Sequence, residues 1–309
     1  MYVNNQKKVE KMEQDFKLQG SIVALVTPFK SDKSIDYNSL EKLIEIQIQS
    51  QTNAIVMCGT TGETATMTDN EFAEIIGFAA KKINKRIPMI VGCGSNSTQK
   101  TIENVQVATE NGADALLIVS PFYNKPMPDG IYHHYKAIAQ VSTKPIILYN
   151  VPGRTCKAIP VETVIKLATD FENIVGIKEA GSDLNVIMEL VARRPQNFKI
   201  YSGDDNLAFP SIILGADGCI SVAANVFPKD FSLMINASLK HDLKTATELH
   251  YKYLRLMNLN FIESSPMPVK TILSMMGLIE EEFRLPMYKM ENQQNRDILK
   301  KEILNLKII

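Results

Sequence analysis

From Ser21 onward the chain alternates between short aliphatic, β-branched runs and longer stretches whose apolar residues recur every three or four positions. The short runs cover 21–28, 53–59, 88–94, 113–121, 145–150, 174–180, 198–204 and 217–224. Several, such as Leu116-Leu-Ile-Val119 and Ile146-Ile-Leu148, are continuously apolar, as parallel strands buried on both faces are. Between them, Leu40, Leu43, Ile44 and Ile48 share one stripe of a helix predicted over 37–49. Ile102, Val105 and Ala108 do the same over 101–110, and Asp36, Thr68 and Thr98 stand where N-caps are expected. Eight β units alternating with helices predict an α/β fold, a (β/α)8 TIM barrel. Strands stop after about Asp242, and helical stretches continue over 242–258, 268–278 and 295–306. The expected organisation is a polar N-terminal lead over 1–18, a barrel over 19–241 and a C-terminal helical appendix over 242–309. An open doubly wound sheet is the competing arrangement. Its phosphate fingerprint is missing: Gly92-Cys-Gly94 lacks the third glycine, and no Walker A sequence occurs.

Charge removes some partners. The 34 basic and 34 acidic residues balance, which gives no electrostatic case for nucleic acid or an anionic membrane surface. No apolar stretch reaches the roughly 18 residues a membrane helix needs. The first residues lack the apolar core of a signal peptide, and the polar stretch 7–17 is expected to be a disordered lead, with Met12 an alternative start to Met1. Cys58, Cys93, Cys156 and Cys219 are dispersed, three of them in strand-like runs, which predicts buried free thiols and a reducing, cytoplasmic location.

Within this frame Lys178 stands out, because Ile174-Val-Gly-Ile-Lys178 asks for an aliphatic side chain at that position. Burying an ammonium is costly, and a desolvated amine at a strand end can form an imine with a carbonyl substrate. Pairing with Glu179 or another rim carboxylate is the alternative. In a barrel the strand ends converge, so Thr27, Thr60, Thr61, Tyr123, Tyr149, Asp204 and Ser221 become neighbours of Lys178, with Arg154 close by. Gly59-Thr-Thr-Gly62 can turn tightly and offer amides to a carboxylate, or can be an ordinary loop capping the next helix. Arg154 can hold an anionic group or be a solvated loop residue. Asp204-Asp205, without a third ligand, is expected to cap a helix. His133, His134, His241 and His250 lie in predicted helices without ligand spacing, and are expected as surface or partly buried side chains. No metal and no cofactor is expected, and no Gly-x-Ser-x-Gly elbow supports a serine triad.

The segments Gly59-Thr-Thr-Gly-Glu63, Tyr149-Asn-Val-Pro-Gly-Arg-Thr155, Gly176-Ile-Lys-Glu-Ala180, Ser202-Gly-Asp-Asp205 and Arg284-Leu-Pro-Met287 follow one another in a recognisable order. In them the chain resembles the dihydrodipicolinate synthase family of the pyruvate-dependent class I aldolases, from about Ser21 to the C-terminal helices. Ser264-Ser265-Pro266 departs from that family's more usual acid-x-Asn-Pro run. The resemblance implies condensation of pyruvate with aspartate-4-semialdehyde in lysine and diaminopimelate biosynthesis. It implies Lys178 as the imine-forming lysine, and Tyr149, Thr60 and Tyr123 as a proton relay, with Tyr123 reaching into a neighbouring subunit of a homodimer or homotetramer. It further implies Thr61 at the pyruvate carboxylate, Arg154 at the semialdehyde carboxylate, and Gly203 and Ile220 as backbone contacts near the imine. A sialic-acid or keto-deoxy-sugar aldolase would use the same imine, and the Arg154 loop argues against it. A catalytically silent binding relative is opposed by the intact Lys178, Tyr149 and Thr60. Lysine-inhibited members carry a lysine cleft at their dimer interface. Ala65 and Asn96 match its positions, whereas Asp69, Phe72, Phe122 and Lys100 do not, so weak or absent inhibition by lysine is expected.

Overall fold

The computed structural model describes residues 18–309, so the lead expected over 1–18 and the choice between Met1 and Met12 lie almost wholly outside it. Eight parallel strands follow one another around a closed barrel, in which β1 pairs with both β2 and β8. They are β1 Gly20–Ala24, β2 Ala54–Met57, β3 Met89–Gly92, β4 Ala115–Val119, β5 Ile146–Asn150, β6 Ile174–Glu179, β7 Lys199–Ser202 and β8 Gly218–Ser221. Successive side chains of a strand face opposite ways, which divides each apolar run between two layers. Ile22, Val56, Ile90, Leu117, Ile147 and Ile220 fill the barrel, while Val23, Ile55, Leu116, Leu148, Ile177 and Ile200 pack outward with the helices. A TIM barrel is therefore the observed architecture, as its strand pattern predicts.

Helix starts follow local chemistry. Asp36 accepts from the amides of Asn38 and Ser39, and Thr68 forms a reciprocal capping box with Glu71. Thr98 is not a cap: Ser97 accepts from Lys100 N, and the helix runs from Thr98 to Glu110. In the helix Tyr37–Gln49 the fourth buried residue is Gln47, whose side-chain amide donates to Ala224 O at 2.8 Å, and Ile48 is only partly buried. The helices Leu243–Leu259, Met267–Met275 and Gln293–Asn305 come after the last strand. Their Leu256, Ile272 and Leu299 join the same apolar cluster as the outward strand faces, so the appendix shares the barrel's core.

β6 carries the one irregularity that bears on chemistry. Its pairing with β5 passes from Ile146↔Ile174 to Ile147↔Gly176, leaving Val175 as an extra residue. Val175 and Lys178 lie on opposite sides of the alternation by count, yet Val175 joins the barrel interior and Lys178 reaches the cavity within it. Gly176 belongs to this bulge; a Cβ there would stand 2.7 Å from Lys199 O.

Among the described residues no helix is long and apolar enough to cross a membrane, and no group of three or more His, Cys, Asp or Glu could hold a metal. Cys58, Cys93 and Cys219 are buried thiols and Cys156 is exposed. Two histidines are more deeply buried than the surface or partly buried positions expected. His134 and His250 are buried, with His134 Nδ1 2.9 Å from Thr98 Oγ1, and burial pushes His134 down to about 4. His241 lies in a turn with φ 57, outside any helix.

Candidate active site

A cavity of about 70 Å³ opens at the C-terminal ends of the strands, where Lys178, Tyr149, Thr60, Thr61, Arg154 and Gly203 line it. Register brings the first two together. Lys178 pairs with Tyr149 on one side and Tyr201 on the other, so the three side chains form one inward row. Lys178 is 5% exposed, and its Nζ stands 4.4 Å from the centre of the Tyr149 ring. Gly203 makes room for it, since a Cβ there would come within 3.0 Å of Lys178 Cε and 2.5 Å of Ala180 Cβ.

Glu179 is not the partner of Lys178. One step along the strand turns it away, and both of its oxygens accept from Asn150 Nδ2, at 3.0 and 2.8 Å, while Oε1 also accepts from Gly181 N. Burial outweighs these hydrogen bonds and pushes the Glu179 carboxyl up to about 7. Asn150 Oδ1 in turn accepts from Ile159 N, closing the loop that carries Arg154. Arg154 lies on the short helix Pro152–Thr155, and its Nη2 donates to Ser265 O at 3.1 Å.

Asp204 and Asp205 do not cap a helix through their side chains. Asp205 is fully buried and its Oδ2 accepts from Ala223 N at 2.9 Å, tying the end of β7 to the loop after β8. Desolvation pushes its carboxyl up to about 6, against hydrogen bonding from Ser221 and the positive field of Lys178. Asp204 Oδ2 accepts instead from Ser182 Oγ.

Thr60 and Thr61 open a 3-10 turn, Thr60–Gly62, with Thr61 buried and Thr60 at the rim. The first amides of a helical turn have no internal acceptor and remain free for an anion. Tyr123 is elsewhere: it is 89% exposed, has φ 71 and does not line the cavity. Ile220 sits deeper in the barrel opposite Ile22, outside the lining set. Of the eight anticipated residues, six surround one space and two do not. Asn150, expected at a strand end, holds Glu179, and Glu179 and Asp205 lie beneath the loops in roles other than the rim pairing and helix capping expected of them, while Phe261 and Ser265 enter the cavity wall without being anticipated there. Alternation along β6 was an available signal for Glu179. Nothing local marks Phe261, and Ser265 stands out only as part of the Ser264-Ser265-Pro266 departure; both arrive from beyond the barrel.

This geometry has counterparts. A model described as the Dihydrodipicolinate synthetase family matches residues 17–305. The 4-hydroxy-tetrahydrodipicolinate synthase of Aquifex aeolicus is 47% identical over 292 residues, covering 94% of this chain and 99% of its own. The crystal structure of dihydrodipicolinate synthase from the same organism superposes with a TM-score of 0.92 at 44% identity, over 94% of this chain and 99% of that one. A chloride-inhibited dihydrodipicolinate synthase from Acinetobacter baumannii, solved in complex with pyruvate, gives a TM-score of 0.92 at 44% identity, over 95% and 100% of the two chains. The chain belongs to the dihydrodipicolinate synthetase family.

Proposed function

We propose that this chain condenses pyruvate with aspartate-4-semialdehyde through an imine on Lys178, forming 4-hydroxy-tetrahydrodipicolinate on the way to diaminopimelate and lysine. The observation that carries the reading is the buried Lys178 amine, presented to a cavity at the barrel mouth over the Tyr149 ring and against Gly203. The unprotonated Nζ attacks the pyruvate ketone carbon, and loss of water leaves a protonated imine. That imine draws electrons from the methyl carbon, which releases a proton to give an enamine. The enamine carbon bonds to the aldehyde carbon of the semialdehyde, whose oxygen takes up a proton. The amine of the new chain then attacks the imine carbon, closes the ring and frees Lys178. The imine is itself the electron sink, so the proposal includes no cofactor and no metal.

In this reading the free amides at Thr60 and Thr61, with the Thr61 hydroxyl, hold the pyruvate carboxylate. Arg154 meets the acceptor's carboxylate as a planar, bidentate donor. Gly203 and Ile220 supply backbone contacts near the imine. Tyr149, Thr60 and Tyr123 of a neighbouring copy relay protons, which needs a hydrogen-bonded chain because a lone phenol is a weak base at neutral pH. The exposed group Phe122, Tyr123 and Met127 supports a homo-oligomer, a dimer or a dimer of dimers, in which this apolar edge is covered. Three buried free thiols support a reducing, cytoplasmic location.

Borohydride added with pyruvate tests the imine directly. Wild-type protein is expected to gain the mass of one reduced pyruvate adduct per chain, on Lys178, and Lys178→Arg to gain none while losing nearly all turnover with the semialdehyde. An adduct on another lysine would remove the reading.

A further inference from the structure

The turn that carries Thr60 and Thr61 is anchored from 207 positions downstream. Lys270, in the helix Met267–Met275, is 0% exposed, and its Nζ lies 2.5 Å from Glu63 Oε1. The rings of Phe29 and Phe283 enclose the ammonium at 4.4 and 4.6 Å from their centres, and Glu63 Oε2 accepts from Arg284 N at 3.3 Å. Desolvating two charges takes back much of what their attraction returns, so such a pair is weak evidence for a role in stability alone.

The backbone of Glu63 indicates what the pair does. Glu63 is left-handed, φ 56 and ψ 35, and it joins the 3-10 turn Thr60–Gly62 to the turn Thr64–Thr66. Side-chain-bearing residues adopt that conformation reluctantly, because Cβ crowds the backbone. Anchoring the Glu63 carboxylate inside the protein holds the junction in place, two residues from Thr61. Gly62 beside it is packed so closely that a Cβ would meet Leu25 O and Thr27 Oγ1 at 3.3 Å. A second support comes from the same downstream region, where Arg284 Nη1 donates to Thr66 O at 3.2 Å.

We infer that Lys270 is a positioning residue for the pyruvate-binding turn: through Glu63 it fixes the aim of the Thr60 and Thr61 amides from the C-terminal helices. The inference rests on the proposed role of that turn. Its test begins with wild-type protein and pyruvate under borohydride, which reports on the proposed function by itself. Lys270→Met, and the double variant Glu63→Gln with Lys270→Met, are then compared in steady-state assays. The expected result is a rise in pyruvate KM of about tenfold or more, with kcat and the semialdehyde KM changed far less and the Lys178 adduct still formed at saturating pyruvate. Where Lys270→Met fails to fold, the double variant, which leaves no charge unpaired, is read in its place. Hydrogen exchange at the Gly62 and Glu63 amides is measured in the same proteins and is expected to quicken, a readout independent of catalysis. A folded variant whose pyruvate KM stays within about twofold of wild type, or whose turn exchanges no faster, overturns the inference. An adduct-free wild type would instead remove the proposed function, with the exchange measurement still deciding whether Lys270 holds the turn.

Discussion

Two adjacent residues of β6 face opposite problems and solve them differently. Lys178 points into a cavity, whereas Glu179 points between barrel and loop and is kept by Asn150 and Gly181 N. A carboxyl raised from 4.5 to about 7 binds its proton more tightly folded than unfolded. Its contribution to stability is therefore fully present below the unfolded pKa near 4.5 and is lost as pH rises through about 7. The full shift corresponds to on the order of 3 kcal/mol. Buried His134, pushed down to about 4, works in the opposite sense, since its contribution is lost as pH falls below its ordinary value. The Glu179 effect must thus be read as a difference between proteins. Denaturant unfolding of wild type and Glu179→Gln from pH 5 to pH 8 should show the gap moving in favour of the variant as pH rises. Parallel curves would mean that the carboxyl is not raised. Only the alternation of β6 sets Glu179 apart from Lys178 in the sequence; that Asn150 would meet it depends on the register beyond the bulge, where Asn150 pairs with Glu179.

At the scale of elements, the loop between β5 and the helix Val161–Asp170 is a small closed unit. Asn150 holds its two ends together and Ser265 O holds Arg154 against the cavity. Arg154 is exposed in the single chain, so the loss of its proposed contact to a carboxylate is worth less than that of a fully desolvated pair, roughly 1.5–3 kcal/mol. Arg154→Ala should accordingly raise the semialdehyde KM by about tenfold to a hundredfold and leave the pyruvate KM nearly unchanged. Equal effects on both would mean that Arg154 supports the loop and does not bind the acceptor. The helices after β2 and β3 carry the positions weighed for lysine inhibition. Lys100 Nζ lies 2.6 Å from Asp69 Oδ1, so two of the positions that differ from a lysine-binding cleft satisfy each other, and Phe72 is buried. An ammonium already paired there repels a cationic ligand and removes an acceptor for it. Initial rates across a lysine titration should therefore be flat through the sub-millimolar range; clear inhibition there would refute the substitution argument. The motifs on these elements were legible because each strand end carries its own chemistry. The partners of those motifs were not, because hydrogen bonds such as Arg154 to Ser265 join residues far apart in the chain.

For the whole molecule, the proposed relay makes the completeness of the site a question of assembly. Tyr123 is almost fully exposed and away from the cavity of its own chain. Were it to act in a neighbouring copy, mixing inactive Tyr123→Phe with inactive Lys178→Ala would restore part of the activity once subunits exchange, because some sites would receive both intact residues. Mass spectrometry of the mixture checks exchange, and no recovery despite it would place both residues in one chain's own site. The division drawn at about residue 241 in the sequence remains our proposal for domain organisation, with an appendix that shares the barrel's apolar cluster.

The sequence by itself determined the number and order of the strands, since each aliphatic run must be buried on both faces and the helices between them present one apolar stripe. It determined Lys178, because an amine among aliphatic neighbours is a local contradiction that any reader of the chain can detect. Tertiary structure alone decided the rest. The extra residue Val175 in β6 arises from pairing with β5, and no local pattern records a partner's register. The charges that surround the site, Asp205 tied to Ala223 and Glu63 to Lys270, are joined by space and not by spacing. A buried charge needs a partner, but the physics that demands one acts through distance in the folded chain, which separation along the sequence does not encode.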